Sequence, residues 1–273
     1  MRYAICNETF ENWDHARVCR TVAELGYQGL EIAPFTLAPR ITDVSATQRK
    51  ELRREAEAFG LRIIGTHWLL AKTEGLQLTA ADPAVRQRTA DYLIELARCT
   101  RDLGGDMMIF GSPAQRRLPP GATKAEAADY AVDTFQRALQ GFVDNQVRLC
   151  VEPLSPPDAN FINTCDEANE IIRRMNHPLF VLHMDVKAMT TEATPRPELI
   201  RRHGKNAAHF HANDANLRGP GFGDVDFVPI FQALKDSGYS GWVSVEVFDY
   251  TPDGLTIARE SIRYMRECEA RVR

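Results

Sequence analysis

The sequence predicts one (β/α)8 barrel domain over residues 1–273. Three observations carry that expectation. Short β-like runs alternate with helical patterns eight times along the chain. No linker or low-complexity tract interrupts the rhythm. The length suits an undivided barrel of roughly 250 residues. The alternative, an open doubly wound sheet, lacks its usual mark, a G-x-G-x-x-G turn after the first strand.

Residues 3–7 read as the first strand and 14–26 as its helix; 29–33 form the second strand. The helix over 47–60 follows, with Gly60 as its C-terminal stop. The third unit is 62–68 with a long helix over 83–103, and the fourth is 107–111 with a loop and the helix 124–145. Strand five is 148–152 with a helix over 165–175; strand six is 180–185 with a shorter helix over 197–203. The seventh strand, 208–214, reads Ala-His-Phe-His-Ala-Asn-Asp, and alternation puts His209, His211 and Asn213 on one face. A loop containing Pro220-Gly221-Phe222-Gly223 and the helix 228–237 follow; strand eight is 241–247, closed by a helix over 255–271.

Composition excludes several classes. Apolar residues make up 44% of the chain, which is ordinary for a globular protein with a large core. The net charge of -4 offers no basic stripe for nucleic acid. The N-terminus shows no signal peptide, and no apolar run is long enough to span a membrane. The six cysteines are scattered without a C-x-x-C pair, as expected of reduced, mostly buried thiols in a cytoplasmic protein. A homo-oligomer is compatible with all of this.

Active sites of such barrels lie at the C-terminal ends of the strands. Strands five to eight end in Glu152, Asp185, His211 and Glu246, spaced 33, 26 and 35 residues apart, about one βα unit each time. Singly, each is a helix-cap partner or half of an ion pair. Together they bring three carboxylates to one rim, which costs energy unless a cation or proton intervenes. Oxygen-rich donors with one imidazole suit Mn2+, Mg2+ or Co2+, and no thiolate pair argues for structural zinc. A divalent ion chelated by a carbonyl and a neighbouring hydroxyl acidifies the adjacent carbon and stabilises an enediolate. Glu152 and Glu246, on strands separated by two others, could then flank a substrate as proton acceptor and donor.

This Glu, Asp, His, Glu layout over strands five to eight resembles the xylose-isomerase-like sugar (phosphate) isomerase/epimerase superfamily, most of all its ketose 3-epimerases of the tagatose/psicose type. Pro220-Gly221-x-Gly223 also matches the superfamily's seventh loop. The resemblance implies a metal at Glu152, Asp185, His211 and Glu246, with Glu152 and Glu246 as the acid/base pair. It also places Asp158 as the acidic substrate contact after strand five. The chain departs from those epimerases in two places. Ala188 stands where they carry a substrate-binding His, and Leu217 where they carry an Arg, with Arg218 next to it. This implies a sister group with its own substrate.

Other residues complete the expected site. His67 and Trp68 end strand three as a hydrogen-bonding group and an apolar wall. Lys187, assigned by alternation to the inward face with Asp185, is a candidate for an anionic group. Glu8 and Phe10 follow strand one. Glu31 reads as a barrel-interior ion-pair partner, and His183 and His209 as groups that orient the ligands. Arg116 and Arg117 read as solvated. The leading expectation is a metal-dependent epimerase or isomerase of a ketose or related hydroxy-carbonyl compound. A dehydratase of a keto-polyol such as an inosose would share the first proton abstraction. An endonuclease-type hydrolase, which needs a histidine-rich multi-metal cluster, and a non-catalytic sugar-binding protein fit less well.

Overall fold

The computed structural model covers Met1–Arg273, and its eight parallel strands follow one another in hydrogen-bonded order and close as a barrel. The elements are β1 (Arg2–Cys6), α1 (His15–Glu24), β2 (Gly29–Ile32), α2 (Ala46–Ala58), β3 (Arg62–Thr66) and α3 (Pro83–Asp102). They continue with β4 (Met107–Phe110), α4 (Lys124–Asn145), β5 (Arg148–Val151), α5 (Cys165–Met175), β6 (Phe180–Asp185) and α6 (Arg196–His203). The last are β7 (Ala207–Ala212), α7 (Phe227–Asp236), β8 (Trp242–Val245) and α8 (Gly254–Glu269). The expected units are all present, and every strand except β6 stops one or two residues early. Glu152 and Glu246 therefore lie just past the last strand residues of β5 and β8.

The packing resolves into two compact units. The first comprises Met1–Ile32, Glu51–Ile64 and His183–Arg273. In it β1 pairs with β2 through Ala4↔Gly29 and Cys6↔Glu31, and with β8 through Ile5↔Val245. β7 pairs with β8 through His211↔Ser244. Phe227 stacks edge-on against Phe231 and Tyr264 on the outer side of these strands. The Asp14, Asp226 and Asp253 side chains cap their helices by accepting from Arg17, Val228 and Thr256 N–H groups. Each such cap contributes about 1 kcal/mol.

The second unit comprises Ala33–Lys50 and Gly65–Leu182. Apart from Arg148 at the start of β5, these strands are apolar where paired, Met107–Phe110 on Arg148–Val151 and Leu149–Val151 on Phe180–Leu182. Strands buried on both faces read as continuous apolar runs rather than alternating ones. Phe110, Phe135, Phe142 and Phe180 form an aromatic cluster between strands and α4, with centroids 5.3 to 5.9 Å apart. Thr123 and Glu126 close a capping box at the start of α4. All six cysteines are buried free thiols. No helix is long and apolar enough to cross a membrane.

Candidate metal centre

In the first unit, β6, β7, β8 and β2 bring buried carboxylates and imidazoles together. Asp185 ends β6 with 2% of its surface exposed. Its Oδ1 accepts from the Ala188 N–H at 2.6 Å and its Oδ2 from the Asn213 amide at 2.6 Å. Those bonds fix the carboxylate's orientation. Burial, helped by the Glu246 charge and opposed by His211, still pushes its pKa up to about 6.

His211 is fully buried on β7. Its Nδ1 lies 3.0 Å from Glu246 Oε2, and its Nε2 lies 3.2 Å from both carboxylate oxygens of Glu31. Burial alone would lower the imidazole's pKa, but the Glu246 and Glu31 carboxylates outweigh it and hold the ring well above its ordinary value. Glu31, on β2, also takes His209 Nε2 at 2.9 Å and the Cys6 thiol at 3.7 Å. The His183 ring packs edge-on at 4.2 Å from His211.

This geometry tests whether a metal fits. An ionised carboxylate can only accept, so Glu31 calls for N–H on Nε2 of both His209 and His211. A neutral His211 then turns the bare electron pair of Nδ1 toward Glu246. Two electron-rich atoms at 3.0 Å repel each other unless a proton or a cation lies with them. With Asp185 adding a further buried oxygen donor, the residues suit a hard or borderline divalent ion. Glu31, His209 and His211 also offer ligand atoms within 4.8 Å of one another. There the Nε2 distances are those of hydrogen bonds, so Glu31 serves the imidazoles.

Glu152 follows β5 in the second unit, buried at 7% exposure. Its N–H donates to Phe110 O, and a Cβ on Gly111 would collide with its Oε2. Glycine at 111 thus leaves the space that the carboxylate fills. Arg116 corrects an expectation. It is fully buried, not solvated. Nη1 donates to the carbonyls of Gly111 at 2.9 Å and Glu152 at 2.6 Å, and Nη2 to Ile162 O at 3.3 Å. Burial lowers its pKa to about 10 against the opposing pull of Glu152 and Glu167. A guanidinium with a fork of donors can bind three buried carbonyls at once, which outweighs the expected preference for water. Arg117 remains exposed and reaches only Asp158 O.

The expected substrate contacts divide. His67 is buried just past β3. Trp68 next to it sits at φ 52, left-handed backbone rare for a bulky residue, with its ring edge-on to Phe35. Asp158 lies in a turn where its carboxylate accepts from the Ser155 hydroxyl. Lys187 lies past the end of β6 at Asp185, in right-handed helical backbone where strand alternation no longer applies. Its N–H donates to Asn213 Oδ1, and its ammonium stands 4.9 Å over the Phe248 ring. Arg218 is held in a half-exposed ion pair with Asp249 at 2.9 Å. The Leu217 carbonyl accepts the N–H groups of Phe248 and Asp249.

Three contributors had no individual role assigned in the sequence reading. Asn213 orients Asp185, a role its face predicted but its type did not announce. Tyr250 lies near Glu8 and Glu246, and burial together with those carboxylates raises its pKa. Asp214 is buried and gathers the N–H groups of Ala215, Gly223 and Val225, which shapes the glycine-rich loop. A Cβ at Gly223 would collide with that carboxylate, which explains the glycine.

A closed eight-stranded parallel barrel, carrying a buried His/Glu/Asp cluster compatible with a metal ion, defines the class of protein. The chain belongs to the xylose isomerase-like TIM barrel family, whose model matches residues 19–268. It is 27% identical over 250 residues to the D-psicose 3-epimerase of Ruminiclostridium cellulolyticum, covering 90% of this chain and 82% of that one. It is 26% identical over 240 residues to an L-ribulose 3-epimerase of Methylomonas sp., covering 87% and 80%. Among solved structures, a D-psicose 3-epimerase with D-tagatose from Clostridium cellulolyticum H10 superposes with a TM-score of 0.84 at 22% identity, over 98% of this chain and 99% of that one.

Proposed function

We propose that the protein is a divalent-metal-dependent epimerase of a ketose or related hydroxy-carbonyl compound, working in one barrel domain. The observation that carries this reading is the buried His211 Nδ1 facing Glu246 Oε2 at 3.0 Å, beside an Asp185 carboxylate held by two hydrogen bonds. Glu152 would complete the set. Similarity over nine-tenths of the chain to a psicose 3-epimerase supports the reaction class.

Glu152, Asp185, His211 and Glu246 would hold Mn2+, Mg2+ or Co2+. When bound, such an ion polarises a substrate carbonyl and balances the charge that develops on its oxygen. The chain's own residues do the rest. One glutamate takes the proton from the carbon beside the carbonyl, and the other returns a proton to the opposite face. His67, Trp68, Asp158, Lys187 and Arg218 are the proposed substrate contacts around them. Ala188 replaces the imidazole expected there with a methyl group, so free tagatose and psicose would be poor substrates. The test is turnover across a panel of free, phosphorylated and acidic ketoses and inososes, read by product mass. An epimer keeps the substrate's mass, and a dehydration product, which would contradict the reading, loses water.

A further inference from the structure

Glu31 is a buried carboxylate that the proposed reaction does not use, yet four of its contacts converge on one edge of the site. It is fully buried on β2, far in sequence from the histidines it touches. Both of its oxygens lie 3.2 Å from His211 Nε2, and Oε2 lies 2.9 Å from His209 Nε2 and 3.7 Å from the Cys6 sulfur. The strand pairing fixes this placement, because Cys6 is the register partner of Glu31 and Ser244 that of His211.

We propose that Glu31 is the positioning residue of the metal centre: by accepting from Nε2–H it locks His211 in the tautomer that presents Nδ1 as ligand. The inference rests on the reading of His211 as a metal ligand. A charged acceptor does more than orient the ring. Its negative charge makes the imidazole a stronger donor through Nδ1, and loss of such a partner typically weakens metal binding 10–100-fold. A glutamine at 31 keeps one acceptor oxygen but brings an N–H2 group that cannot accept from a ring N–H. It removes the charge and lets the second tautomer compete. His209 meets the same carboxylate at Oε2 only, so its loss leaves the contact of His211 with Oε1 in place.

The experiment uses the full chain stripped of metal and titrated calorimetrically with Mn2+, as wild type, Glu31→Gln and His209→Ala. Long-range 1H–15N spectra of Mg2+-saturated wild type report which His211 nitrogen carries the proton. The expected results are a 10–100-fold weaker Mn2+ affinity in Glu31→Gln, less than about threefold in His209→Ala, and a proton on Nε2 of His211. A merely structural Glu31 would lower the melting temperature of Glu31→Gln and leave Mn2+ affinity unchanged, which overturns the proposal. So does a wild-type His211 protonated on Nδ1, a result available even if Glu31→Gln fails to fold. Wild type that takes up no Mn2+ would instead remove the metal reading itself.

Discussion

Nδ1 of His211 and Oε2 of Glu246 stand 3.0 Å apart in a buried site, while the opposite nitrogen of the same ring faces Glu31. A ring held on one side by an acceptor and aimed at a carboxylate on the other is a socket for positive charge. The Glu246 and Glu31 carboxylates that face the ring hold the His211 pKa above its ordinary value against the effect of burial.

Removing the ligands should therefore remove the ion. Purified protein is expected to carry a divalent metal or to regain activity when one is added after chelation. His211→Ala and Asp185→Asn should bind Mn2+ at least 10–100-fold more weakly, as measured by calorimetry. Equal affinity in all three proteins would contradict the site assignment.

The two glutamates should separate binding from chemistry. Glu152→Gln and Glu246→Gln keep size and one oxygen but lose the base. Substrate and metal should still bind, while turnover falls by about 10²–10⁴-fold. Steady-state kinetics with the authentic substrate read this directly, and near-normal turnover in both variants would end the proton-transfer mechanism.

Arg116 should matter for stability. Arg116→Met takes the donor from the buried carbonyls of Gly111 and Glu152, while Ile162 O keeps the Leu154 N–H. A loss of about 2–4 kcal/mol is expected, since one or two orphaned polar groups cost that much. Arg116→Lys should fall between the two, because a single ammonium cannot span all three carbonyls. Denaturant unfolding of the three proteins gives the order.

Gly111 should matter for the site more than for the fold. Its Cβ would have to displace the Glu152 carboxylate, and an error near 1 Å in a catalytic group costs about 10²-fold in rate. Gly111→Ala is expected to melt near the wild-type temperature and to lose turnover on that scale. Unchanged kinetics would show that Glu152 tolerates the shift.

Much of this was legible in the sequence, for physical reasons that also mark where legibility ends. Met107-Met108-Ile109-Phe110 and Arg148-Leu149-Cys150-Val151 read as strands because a doubly covered sheet needs apolar runs, and they are strands. Asp185, His211 and Glu246 stood out because barrel chemistry collects at strand ends, and these three share the buried cluster. Glu31 was legible as an interior ion-pair partner, but the identity of its partners depends on a pairing 180 residues long. Alternation gives no placement for Lys187, because it holds only while the strand lasts and β6 stops two residues before it. Arg116 was misread because an arginine pair in a loop has no pattern that distinguishes solvation from a buried clasp on carbonyls. That distinction exists only once Gly111, Glu152 and Ile162 have been folded around it.

The account's central claim is metal-dependent proton transfer at a carbon beside a carbonyl, and deuterium wash-in measures it without requiring a net reaction. Metal-loaded and chelated protein are incubated in D2O with the panel of ketoses and inososes, and the sugars are analysed by mass spectrometry and NMR. The account predicts deuterium at the carbon adjacent to the carbonyl of at least one sugar, dependent on the divalent ion and abolished when both Glu152 and Glu246 are glutamine. Exchange that proceeds equally in chelated protein, or no exchange with any member of the panel, would contradict it.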